Sequence, residues 1–230
     1  MLRVVRMEHS TREDGLRRMT LSRLIHASAP HLFDDECGWT GVFCINNDNE
    51  MVSIRWNELN VDLCYGILLN WLPNSLCRVY LDRILTTDMQ AFLTRYLPRC
   101  ATVITFTYLN IAGTLDLSTL PPKIETLKMI GNGYSGTVYL MHLPPTLEEI
   151  DLRHTFIDTV VVDNVSLPIK FYRAQVSNQK QNVKIVTAET SGEEIDDRVL
   201  VYHYTKRGVA RHQFGITMDE ANETYDTIIM

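Results

Sequence analysis

The sequence has no excess of basic charge, no long apolar run and no cysteine framework, and each absence closes off a class of protein. Its 22 lysines and arginines stand against 28 acidic residues, a net charge of −6, whereas a dedicated nucleic-acid binder is usually basic overall. No window approaches the run of about 18 apolar residues that a transmembrane helix needs. The five cysteines (Cys37, Cys44, Cys64, Cys77 and Cys100) are odd in number and sparse for 230 residues, which argues against a disulfide-rich secreted scaffold. Without a CxxC pair, a structural zinc site lacks its usual spacing. The first residues carry Arg3, Arg6, Arg12, Arg17, Arg18 and Arg23 but no apolar core of a secretory signal. Glu8, Glu13 and Asp14 disagree with a mitochondrial presequence, so residues 1–36 read as a basic polar arm or short amphipathic helix. An intracellular setting, cytoplasm or mitochondrion, is expected ahead of secretion.

What the sequence does have is a repeat. Leu-Pro recurs at Leu72, Leu97, Leu120, Leu143 and Leu167, with spacings of 25, 23, 23 and 24 residues. Four residues after each leucine stand Leu76, Ala101, Ile124, Leu147 and Phe171. Seven after stand Val79, Ile104, Leu127, Ile150 and Ala174; nine after, Leu81, Phe106, Met129, Leu152 and Val176. All fifteen are apolar in a chain that is 45% apolar, a coincidence with a chance on the order of 10⁻⁵ for independent positions. Positions seven and nine differ by two and so share one face of a short strand. One such strand cannot bury its apolar side alone, but stacked turns create a continuous core.

Five residues before each leucine runs another apolar column: Ile67, Phe92, Leu115, Val138 and Val162. The alternation in GTLDL (113–117) and GTVYL (136–140) predicts a second strand in those turns. Thr87 followed by Gln90 looks like a capping box and predicts a short helix there. The outer wall is therefore expected to mix strand and helix, an α/β arrangement dominated by β. Val183 to Val186 could add a capping strand, residues 187–197 read as an acidic linker, and RVLVYHYT (198–205) predicts a strand. A hairpin through the KRG turn would then block the open edge of the array.

The segments ETLKMIGNGYSGTVYL and EEIDLRHTFIDTVVV resemble a leucine-rich repeat, and Asn132 to Gly136 resembles its plant-like subtype. CGWTGVFC, Cys37 to Cys44, resembles the C-x-W-x-G-V-x-C cap of that subtype, and cap and Leu-Pro repeats together resemble leucine-rich repeat proteins of kinetoplastid protists. The resemblance implies a short leucine-rich repeat solenoid with a parallel concave sheet over residues 37–186, an N-terminal cap and a β-rich extension over 187–230. It also implies an asparagine in each turn, a place taken here by Asn132 and Asn110, with His154 and Asp82 near it elsewhere. Secreted relatives bond the cap cysteines; in an intracellular setting Cys37 and Cys44 are expected as packed thiols. Trp39 is expected beneath the cap.

GNGYSG, Gly131 to Gly136, matches a dinucleotide fingerprint, yet TVYL alternates like a strand where that motif needs a helix N-terminus, so no nucleotide and no other cofactor is expected. No acid, base, nucleophile and orienting group fall at a recognisable spacing, so the chain reads as a non-enzyme. Asn164 and Asn222 begin glycosylation sequons that matter only in a secreted protein. Lys206, Arg207, Arg211 and His212 read as a solvated charge run.

The expected function is a protein-protein interaction scaffold that binds through the concave sheet, with no membrane and no small-molecule substrate. Positions six, eight and ten of each turn face that way. The candidate contact residues are Arg78, Tyr80, Asp82, Thr105, Lys128, Glu149, Asp151, Arg153, His154, Arg173 and Gln175. Lys128 is expected beside Asp151 and Arg173 beside Glu149 as exposed pairs, so that reversing Asp151 and Arg153 should leave the melting temperature nearly unchanged. The alternative is a peripheral component of an organellar ribonucleoprotein such as a mitochondrial ribosome, touching RNA through the N-terminal arm. An extracellular recognition module is a third reading.

Overall fold

The fold follows from the fifteen repeated apolar residues, which the computed structural model places without exception in the interior. It describes residues 37, 41–45, 50–57, 69, 72–84, 90–188, 194–205, 208–213 and 216–219. The N-terminal arm, Trp39, Cys64, Ile67, Thr87, Lys206, Arg207 and Asn222 lie outside the described residues.

Two strands precede the Leu-Pro series: β1 (Val42–Ile45) and β2 (Glu50–Asn57). Each later turn supplies an inner strand: β3 (Arg78–Asp82), β5 (Val103–Thr107), β7 (Thr126–Lys128), the first part of β9 (Glu149–Val162) and β10 (Arg173–Asn178). From β2 to β10 these pair in parallel, so position seven of one turn lies beside position seven of the next: Ile54, Val79, Ile104, Leu127, Ile150, Ala174. An outer wall is built by β4 (Gln90–Ala91), β6 (Ile111–Gly113), β8 (Gly133–Leu140), the rest of β9 and β11 (Lys184–Thr187), again in parallel. The result is a β-solenoid of about five turns. Between its walls lie the Leu-Pro leucines and the column five residues before them, Phe92, Leu115, Val138 and Val162. Leu127 is fully enclosed there, as its place in the repeat requires.

The helical share expected of the outer wall is not found among the described residues. Gln90 and Ala91 pair with Ile111 and Ala112 as strand, and only 3₁₀ turns follow, at Thr94–Tyr96, Leu117–Thr119 and Asn164–Ser166. The physical reason is length: a few residues separate each outer strand from the next Leu-Pro, too few for an α-helix. Asp116 and Asp163 close two of these turns by accepting the backbone N–H of Ser118 and Val165. GTLDL is likewise strand only to Gly113; from Leu117 it is a 3₁₀ turn. GTVYL lies inside β8, and the GNGYSG segment leads into that strand rather than a helix.

The extension continues the sheet. β12 (Val199–Thr205) pairs in parallel with β10, and β13 (Gly208–Gln213) and β14 (Ile216–Asp219) follow antiparallel. Among the described residues the hairpin therefore does not end the edge but moves it outward to β14. At the other end Cys37 and Cys44 form a disulfide with their Cα atoms 5.7 Å apart, where thiols were expected. That separation sits inside the range a disulfide requires.

The inner strand of four successive turns ends at the same corner, eleven residues after the leucine. Arg83, Tyr108, Gly131 and His154 all have positive φ there, between 48° and 68°. Only one of the four is the glycine that such a conformation favours. At Gly131 a side chain is excluded twice over, since an added Cβ would lie 2.3 Å from the Tyr108 ring.

Beside this corner runs an internal polar ladder. The buried Asn132 accepts from the N–H groups of Leu109 and Ile111, and donates to the carbonyls of Phe106 and Ile130. Asn110, expected to share this role, instead sits one residue past the buried Leu109 with φ 55°. One turn on, the buried position belongs to Thr155, whose hydroxyl donates to the Leu152 carbonyl, and not to His154. Asn178 follows, donating to the Ile157 carbonyl and accepting from Lys180 and Gln181. The repeat accepts any small polar side chain that satisfies these inward-facing backbone groups.

Candidate functional site

The face of the long sheet turned away from the core carries positions six, eight and ten of every turn, as alternation requires. The register aligns them in rows: Ser53, Arg78, Val103, Thr126, Glu149 and Arg173 in one, and Arg55, Tyr80, Thr105, Lys128, Asp151 and Gln175 in the next. All the candidate contact residues except His154 thus share one surface; His154 stands at its border, in the corner column.

Over β7, β9 and β10 that surface is an ion-paired layer. Glu149 receives Lys128 Nζ at 2.9 Å and Arg173 Nη2 at 2.6 Å. Lys128 lies directly opposite Asp151 in the ladder, yet its ammonium reaches diagonally to Glu149. Asp151 is held by its own strand neighbour: the Arg153 guanidinium grips both carboxylate oxygens, at 2.8 to 3.1 Å, and the Arg153 N–H adds a further bond. Gln175 donates to the Tyr202 hydroxyl at 2.8 Å. Ser177 accepts the His154 N–H at 2.9 Å.

These residues were expected to be exposed, and four are not. Glu149 is 4% exposed, Asp151 1%, Gln175 6%, and Ser177 is fully enclosed. Long neighbouring side chains lie across the short ones: the arginine and lysine stems cover the carboxylates while their charged ends pair with them. Burial by itself pushes the Glu149 carboxyl up, but hydrogen bonds from Lys128 and Arg173, reinforced by their charges, outweigh it and hold the group below the ordinary carboxylate range. Burial and then the Arg153 charge push the His154 imidazole down, with Asp151 opposing. A carboxylate engaged as Glu149 is makes a poor general base, since any proton it took up would have to displace a cation.

Toward the N-terminal end the same rows change character. Arg78 is exposed, and Arg55 lies with its guanidinium carbon 4.8 Å from the centre of the Tyr80 ring. Neither arginine forms an ion pair among the described residues. Phe43, 57% exposed, stands opposite Ser53 in the register and extends this patch across β1. The sequence reading found Arg78 and Tyr80 but missed Arg55 and Phe43, because β1 and β2 have no Leu-Pro to anchor them. A signal existed: stepping back 25 residues from Val79 and Leu81 reaches Ile54 and Trp56, which are buried in register with them. Arg55 lies between them.

At the corner, Tyr108 and His154 come together over Gly131, their ring centres 6.5 Å apart. Among the described residues no group of three or more His, Cys, Asp and Glu side chains is placed to hold a metal ion. No helix among them is long and apolar enough to cross a membrane. No protein-family model matches the chain, and neither does any curated protein.

Proposed function

We propose that this protein is a non-catalytic interaction scaffold that binds a protein partner on the outward face of its long parallel sheet. The observation that carries the reading is the composition of that face at its N-terminal end, where Phe43, Tyr80, Arg55 and Arg78 cluster without ion pairs among the described residues. Aromatic residues and arginine are the side chains that dominate protein interfaces. The finer classification, a leucine-rich repeat of the plant-like subtype with its N-terminal cap, belongs to the same proposal. It is supported by the repeat of 23 to 25 residues, the buried Asn132 and the bonded cap cysteines.

The test is site-specific photo-crosslinking in the source cell. A photoreactive residue at Thr105, in the middle of the long sheet, should capture a discrete protein; one at Thr137, on the outer wall, should not. Adducts from Thr137 alone would move the interface to the other side of the solenoid. Adducts to RNA would favour the ribonucleoprotein reading, which rests on the six arginines between Arg3 and Arg23.

A second reading concerns compartment. The Cys37–Cys44 disulfide favours an oxidising setting, and with it an extracellular or luminal recognition module, over the cytoplasm or mitochondrial matrix. Thiol labelling of the protein taken directly from its source distinguishes them: blocked Cys37 and Cys44 support the first, alkylated ones the second.

A further inference from the structure

We infer that the N-terminal part of the long sheet takes an extended acidic segment of a protein partner, one that carries carboxylates at alternate positions and a large apolar side chain. The inference rests on the proposed scaffold function and names the chemistry of what the scaffold binds.

Three observations carry it. First, the face is charged against the molecule as a whole. Its rows hold Arg55, Arg78, Lys128, Arg153 and Arg173 against Asp82, Glu149 and Asp151, in a chain of net charge −6. The acids at the C-terminal end are already consumed by Lys128, Arg153 and Arg173. The face thus carries five cations to three acids, and Arg55 and Arg78 are the ones that form no ion pair among the described residues. An approaching acidic segment is steered to that spot and repelled by the rest of the surface.

Second, the spacing fits an extended chain. Arg78 lies beside Ser53, two residues before Arg55 on β2. One strand spacing and two residues of rise separate the two arginines by about 8 Å. Carboxylates two residues apart on an extended segment are about 7 Å apart on one face, within the reach of two flexible guanidinium groups. Third, Phe43 and Tyr80 flank the pair, so an apolar side chain next to the acids has an aromatic surface to cover. Stacking on Tyr80 also restrains Arg55 before binding, which lowers the cost of ordering it.

The experiment titrates the full chain with a fluorescent peptide that alternates glutamate and serine around one central phenylalanine. Wild type should bind it, with an affinity that falls as salt rises. Arg55→Glu with Arg78→Glu should weaken binding by at least about tenfold at an unchanged melting temperature. If the double reversal misfolds, Arg55→Ala with Arg78→Ala gives the same comparison with a smaller loss. Equal peptide binding by wild type and variant overturns the inference. So does displacement of the peptide by single-stranded RNA of the same length, or by self-association of the protein at this face. Crosslinking at Thr105 separates the two proposals: adducts that persist in the double variant at wild-type yield would sink the acidic-segment inference and leave the scaffold function standing.

Discussion

The two ends of the long sheet share one backbone ladder and use it for opposite ends. Around β9 and β10, outward positions hold acids and bases that satisfy one another, and the carboxylates are as enclosed as core residues. Around β2 and β3, the equivalent positions hold Arg55, Arg78 and Tyr80, and neither arginine is ion-paired among the described residues. Position in the repeat decides which way a side chain points. Whether it stays in water is decided by the length and charge of its lateral neighbours. A glutamate between lysine and arginine becomes structure, whereas an arginine between serine and valine remains available.

The comparison can be broken outright from below. Leu127→Asp places a carboxylate in the core that both ends share and should unfold the array in one step, a loss beyond about 4–5 kcal/mol. Loss of far-ultraviolet dichroism and uniform sensitivity to protease would show it; a folded variant would mean that the turns are less coupled than their stacking implies.

Removing Glu149 attacks the C-terminal end alone. Glu149→Ala leaves the partly exposed Lys128 and Arg173 without their counter-ion, and should destabilise the protein by about 1–3 kcal/mol in chemical denaturation. Reversing Asp151 and Arg153 belongs with it. Because Asp151 is buried, the exchange should lower the melting temperature clearly, contrary to what exposed pairs would do.

Acid should expose the same asymmetry more gently. The His154 imidazole is held below its ordinary value of 6.5 and the Glu149 carboxyl below 4.5. A depressed value in the folded state means stability that is complete above the ordinary value and is lost as pH falls through the folded one. Stability should therefore decline first below about pH 6.5 and again below about pH 4.5. Glu149→Gln should reduce the second decline, leaving the part that comes from Asp196, which the Arg198 hydrogen bond holds below its ordinary value. Hydrogen exchange should register both losses around β9 and β10 and leave β2 and β3 unaffected.

The smallest effect is at the other end. Arg55→Glu with Arg78→Glu should change stability by no more than about 0.5 kcal/mol. A large loss there would make the N-terminal patch a structural layer like its counterpart.

The stacking was legible from sequence because it rests on periodic burial: the residues seven and nine after each Leu-Pro could be paired with their neighbours before any coordinates. The direction of each outward side chain was legible for the same reason. Burial of Glu149 and Asp151 was not, since it depends on Lys128 and Arg153 reaching diagonally and along the strand, which no one-dimensional spacing encodes. Thr155 was overlooked because asparagine was sought where any short hydrogen-bonding side chain suffices. Arg55 and Phe43 were overlooked because their strands lie upstream of the first Leu-Pro.

The corner column has a consequence for ancestry. Arg83, Tyr108, Gly131 and His154 share a backbone conformation that three of them do not favour, so the geometry is imposed by the stacked turns and not by local preference. Cutting the chain at two such corners and rejoining it restores the same backbone path, provided the seam keeps the room that Gly131 leaves for the Tyr108 ring. Unequal crossing-over between repeats would then lengthen or shorten the solenoid by whole turns without a new corner having to evolve. The column marks the joints at which a protein of this form can grow.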